Sequence, residues 1–269
     1  MKALAVLCLG IVTSLNAATV AVIDSGVDYT HDQLKHNMWN SLSKSYGWNF
    51  AENNSKVFDP YLIYSFSPDV KKYSDIQSKS YLFAASDEEK EWAKEKAKDK
   101  DFIQEVNRFG NYVHGTHVAG IAMKGTDHKI MAIKLLPTPA KAKQSDLKSN
   151  LSKSPEKDLD TLLIQVALTN ATKMAEIGNY VNSMGAHVAN GSFGTSIYMA
   201  AELAYKAFKI VYKRDPSDDE LIMTAVKFME MTIILGKKFV EVAPNTLFVF
   251  AAGNDGLSND QIGASPANI

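Results

Sequence analysis

Four short segments carry side chains that could do chemistry together. Asp24 ends the apolar run of VAVIDSGVD and is followed by Ser25 and Gly26. A carboxylate at the carboxyl end of a parallel strand lies where open α/β sheets place their sites; a turn former or helix cap is the plainer reading of such an aspartate. His114 opens HGTHVAGIA. A histidine at the start of a helix can face a cleft, with one ring nitrogen held by a carboxylate and the other free to move protons. Gly115, Ala119 and Gly120 would let that helix pack very close to a neighbour. Asn190–Gly194 (NGSFG) sets Ser192, Phe193 and Gly194 just past another apolar run. Asn254, in FAAGNDG, carries an amide N–H suited to the oxyanion of a tetrahedral acyl intermediate. Its plainer reading is a turn residue tolerating left-handed geometry.

Other chemistries fit less well. His117, one turn beyond His114, reads as a packed, hydrogen-bonded histidine. A zinc site from Asp24, His114 and His117 would support metal-dependent hydrolysis, but H-E-x-x-H spacing is absent. NGSFG approaches the G-x-S-x-G elbow of α/β-hydrolases, with Asn190 in place of the first glycine. That fold needs its histidine after the serine, and all six histidines (31, 36, 114, 117, 128, 187) precede Ser192. Neither G-x-x-x-x-G-K-[ST] nor G-x-G-x-x-G occurs, so no nucleotide or redox cofactor is expected.

These residues need elements to hold them. Thr19–Ile23, Lys129–Leu136, Ala186–Ser192 and Thr246–Ala252 read as strands, the first a continuous β-branched run suited to burial on both faces. Leu159–Met184 and Asp218–Val240 carry apolar residues at helical spacing, and Asp215-Pro216-Ser217-Asp218 is a helix-start signal. Strands alternating with helices predict an α/β fold, a mainly parallel sheet with helices on both faces. Two stretches look like additions to this frame, about 55–110 and 137–157. Within the first, Ser86–Val106 reads as a solvated helix laced by Asp87/Lys90, Glu91/Lys94 and Glu95/Lys98. Pro137–Lys157, rich in Lys, Ser and Pro, reads as a surface loop.

With 269 residues, 46% apolar, the chain is long enough for one sizeable core. Its net charge of −1, from 29 basic and 30 acidic residues, argues against a general nucleic-acid or membrane-surface binder. Residues 1–18, with Lys2, the apolar run Ala3–Val12 and small residues at Ala17 and Ala18, have the layout of a cleaved secretory signal peptide. The run is too short to span a bilayer. A secreted or periplasmic protein is therefore expected, with no membrane attachment beyond that signal. The one cysteine, Cys8, lies inside it, so packing or bound ions rather than disulfides must stabilise residues 19–269.

Taken in order, DSG, HGTHVAG, NxSFG and AAGN closely resemble the subtilisin-like serine protease family. The weaker segments Gly47–Phe50 (GWNF) and Ala132–Leu136 (AIKLL) resemble connecting sequence of that family. The resemblance runs over about 19–269, interrupted by the two additions. It implies a peptide or protein substrate, with Asp24 orienting His114, His114 as general base and then acid towards a serine nucleophile, and Asn254 as oxyanion donor. Ser192–Gly194 would pair with the substrate as an added strand and line its first specificity pocket.

The chain also departs from the family pattern. The family's serine lies in a GTSMA-type motif downstream of AAGN, and no residue after Asn254 fits it. Gly194-Thr195-Ser196 followed by Met199-Ala200 imitates the motif on the wrong side. The expectation is thus the front part of a catalytic domain, incomplete at its C-terminal end and inactive alone. The alternative is a serine-less relative that holds extended peptides without cutting them. Asp24 and His114 are 90 positions apart, against a few tens in compact members, and no inhibitory prodomain fits before Asp24. Gln33 replaces an acidic position that is often a calcium ligand. Calcium remains a candidate structural ion at Asp28, Asp32 and Asp255, with no metal required for the reaction.

Overall fold

The computed structural model describes residues 17–42, 44–137, 158–254 and Ala267. Expectations on the leader up to residue 16, on 138–157 of the loop, and on Asp255 fall outside these residues.

Five parallel strands form one sheet: β1 (Thr19–Asp24), β2 (Gly47–Asn49), β3 (Lys129–Lys134), β4 (Val188–Gly191) and β5 (Leu247–Phe250), in spatial order β2-β3-β1-β4-β5. The four strand expectations hold, each ending a residue or two earlier at its carboxyl end except β1, which extends to Asp24. β2 is a strand that the apolar pattern did not announce, because three residues show no periodicity. Order reverses beside β1: β3 and β2 lie on one side, β4 and β5 on the other. Ligand crevices of open α/β sheets open at such a point.

Six α-helices accompany the sheet among the described residues: α1 (Pro68–Tyr81), α2 (Asp87–Lys96), α3 (Lys100–Met123), α4 (Leu159–Ser183), α5 (Ile197–Tyr212) and α6 (Asp218–Glu241), with a short 3₁₀ helix at Pro60–Ser65. Alternation along the strands sorts side chains to the two faces. Val20, Val22, Ile130 and Ala132 pack with Ala119 and Met123 of α3. Ala21, Ile23, Met131, Ile133 and Ala189 pack with Ile177 and Val181 of α4 and Phe239 of α6. The expected layering, helices on both faces of a parallel sheet, is the observed one.

The additions build satellite cores. Phe58, Phe66, Val70, Phe102, Phe109 and Tyr112 join α1 to the first half of α3. A second cluster, including Leu162, Ala204, Phe208 and Phe228, binds α4, α5 and α6. The Ser86–Val106 stretch is two helices rather than one, because Asp99 accepts hydrogen bonds from the amides of Asp101 and Phe102 and starts α3 afresh. All three expected ion pairs of this stretch form on its surface. Ser217 and Glu220 form a reciprocal capping box at the predicted start of α6.

Phe239 is fully buried against Phe248 and Phe250 of β5. Truncating it leaves a cavity at the joint of helix and sheet. Phe239→Ala should lower unfolding stability by about 3–5 kcal/mol, read as a shifted urea midpoint with unchanged slope.

Candidate functional site

Asp24 is the last residue of β1 and its side chain is 0% exposed. Its Oδ1 accepts the backbone N–H of Ser25 at 2.7 Å. His114 Nδ1 lies 2.8 Å from Asp24 Oδ1 and 2.9 Å from Oδ2. A carboxylate only accepts, so Nδ1 carries the proton and Nε2 presents a lone pair. The imidazole is 44% exposed, and among the described residues nothing is hydrogen-bonded to Nε2. The pair is therefore a buried anchor and an open proton-accepting tip.

Two glycines let these groups meet. A Cβ on Gly115 would lie 2.2 Å from the Gly26 carbonyl oxygen and 3.0 Å from Asp24 Cβ, so only glycine allows α3 to cross the end of β1 this closely. Gly26 has φ +108°, and a Cβ there would lie 2.1 Å from the Val57 carbonyl oxygen. The Gly115 amide also donates to Ser25 Oγ at 3.2 Å. Sequence reasoning passed over Ser25, although it ties the two elements directly; its position between Asp24 and Gly26 was the available signal.

Three expectations need correction. His114 does not start its helix. α3 begins at Lys100, about four turns earlier, because the added segment continues into it without a break. His117 is exposed rather than packed, with no hydrogen-bond partner among the described residues. Gly120 meets nothing within 4 Å of a built Cβ, so Gly115 and the fully buried Ala119 serve close packing and Gly120 does not.

Ser192, Phe193 and Gly194 follow β4, and Asn254 follows β5. The parallel pairing of β1, β4 and β5 brings all of them to the carboxyl edge that holds Asp24. β5 is two strands from β1, about 10 Å across the sheet. Asn190 Nδ2 donates to Ser192 Oγ at 2.9 Å, and Ala251 N donates to the Gly191 carbonyl at 3.1 Å. Asn254 is exposed. The left-handed residue of its turn is Gly253, φ +95°, so the asparagine is not there to tolerate that geometry. Ser196, the decoy, caps α5 by accepting the Met199 amide at 3.3 Å. Lys134 was also missed: it is buried, opposite Asp24 in register, with Nζ 3.7 Å from Glu52 Oε1.

Among the described residues no group of three His, Cys, Asp or Glu is placed to hold a metal ion. Asp28 instead accepts from the amide and hydroxyl of Thr30, and Asp32 pairs with Lys35. No helix among them is long and apolar enough to cross a membrane.

The model of the subtilase family (Peptidase_S8) matches residues 16–269. The chain belongs to the subtilase family. This is a family of serine peptidases, and the five-stranded parallel sheet is consistent with its fold. No curated protein and no solved structure matches the chain.

The hydrogen bond to Asp24, and then its charge, hold His114 above the ordinary imidazole value, against partial burial, which lowers it. The contribution of the pair to stability is complete below about pH 6.5 and is lost as pH rises through the raised value. The neutral base forms over that same rise. Asp24→Asn should bring the His114 titration, followed by NMR, down towards the ordinary value. Gly115→Ala should disturb the same titration by forcing α3 off β1, and should destabilise the fold; an unchanged His114 pKa in Asp24→Asn would show that the contact is absent in solution.

Proposed function

We propose that this subtilase is a secreted or periplasmic serine endopeptidase in which Asp24 and His114 are two members of the catalytic triad and Asn254 is the oxyanion donor. The single observation that carries the reading is the buried Asp24 carboxylate on His114 Nδ1. That contact fixes the tautomer and orients the ring, leaving Nε2 to take a proton from a hydroxyl nucleophile. The positive charge then formed on the imidazolium is stabilised by Asp24, and Nε2 returns the proton to the leaving amine. A substrate carbonyl lying between His114 and the end of β5 would develop its negative oxygen towards the Asn254 amide. Ser192–Gly194, beyond the end of β4, would hold the substrate chain in extended form by backbone hydrogen bonds. Calcium is proposed only as a structural ion, and the reaction calls on no nucleotide or redox cofactor.

The nucleophile is not assigned to any of the 269 residues, since Ser196 is engaged as a helix cap and no GTSxA-type segment follows Asn254. We place it in chain beyond these residues. The edge strand β5 supports this reading, because it leaves Leu247 and Val249 65% and 47% exposed, an apolar face that a continued sheet and helix would cover.

The test is fluorophosphonate labelling of the product of the uninterrupted reading frame. Labelling at a serine in a GTSxA-type segment is expected, slowed about 10²–10⁴-fold by His114→Ala. The 269-residue chain should remain unlabelled. A frame that stops after Ile269, or a longer product that never labels, would contradict the peptidase reading and leave peptide binding without cleavage.

A further inference from the structure

An apolar chamber of about 330 Å³ opens beside the proposed substrate segment. Phe193, Gly194 and Thr195 form one wall, Met174 of α4 and Phe239 of α6 others. Lys173 of α4 is at its lining and half-buried. Among the described residues Lys173 pairs with no carboxylate, although Glu176 is one turn away and exposed. Lys237, next to the lining residue Gly236, is exposed and likewise unpaired. On α6, Glu220 binds Arg214 and Glu241 binds Lys238. Asp218 and Asp219 lie at the far end of the helix, and Glu230, exposed in mid-helix, is the one acidic group of α6 near the chamber and is not among the residues that line it. An apolar well with an uncompensated cation at its edge favours a ligand that pairs an apolar group with negative charge.

We infer that Lys173 makes this chamber selective for substrate segments carrying a large apolar side chain with Asp or Glu two residues away. The inference rests on the reading that Ser192–Gly194 holds an extended substrate chain. In such a chain alternate side chains share one face, about 6–7 Å apart. One enters between Phe193, Met174 and Phe239, and the next on that face comes within reach of the flexible Lys173 stem.

Binding can be read without turnover. Fluorescein-labelled eight-residue peptides with one central Phe, flanked at both second neighbours by Glu, Gln or Lys, are titrated against the full chain by anisotropy. The Glu peptide should bind about tenfold tighter than the Lys peptide at low salt, with the gap closing towards about 1 M salt. Lys173→Glu should reverse the order, Lys173→Met should abolish it, and replacing Phe by Ala should weaken all three peptides. Phe-dependent binding with no charge preference, or an order unchanged in Lys173→Glu, overturns the role of Lys173 alone. Binding of none of the peptides overturns it together with the substrate-segment reading. Because Lys173 is a helix-surface residue, thermal unfolding of both variants should match the parent, which separates lost recognition from lost fold.

Discussion

The helix that carries His114 reaches the end of β1 only because residue 115 has no side chain. A Cβ there would collide with the Gly26 carbonyl and press on Asp24, so the helix would have to withdraw. Withdrawal would break the His114–Asp24 contact and leave a buried carboxylate short of a partner. That cost is typically a few kcal/mol for an uncompensated charge. The close crossing and the proton-transfer geometry are therefore one constraint, and Ser25 fastens it by accepting from the Gly115 amide.

The rest of the molecule arranges itself around that crossing. β1 is central, with β3 and β4 as neighbours, so Asp24 stands where strand order reverses. Parallel pairing puts the segments after β4 and β5 on the same edge, which is why residues as far apart in sequence as 24, 192 and 254 lie along one edge of the sheet. The long helices α4 and α6 cover the opposite sheet face from α3 and carry a second core outward through α5. The chamber with Lys173 lies where those helices meet the segment after β4.

Much of this was legible in the sequence. Buried parallel strands announce themselves as short β-branched runs, and Thr19–Ile23 needed little else. The long amphipathic helices were equally plain, and charged side chains spaced three apart found the partners that spacing implies. What escaped has physical reasons. β2 is too short for any period. α5 is rich in alanine and follows the glycine-bearing segment after β4, so it merges with that segment in a sequence pattern. The true start of α3 was hidden because HGTHVAGIA draws attention to itself, whereas the cap that begins the helix is Asp99, in a run of charged residues. His117 was misjudged because helical spacing places it one turn from His114 without saying which face is covered.

The proposed role of His114 depends on which of its ring nitrogens carries the proton. Long-range ¹H–¹⁵N NMR of the imidazole, at a pH above its raised titration, reports the tautomer directly. The Asp24 contact predicts a protonated Nδ1 and a bare Nε2, converting to the other tautomer or a mixture in Asp24→Asn. A neutral ring already protonated on Nε2 in the parent protein would contradict it, because the lone pair would then lie on Nδ1, facing Asp24, and the exposed Nε2 could accept no proton.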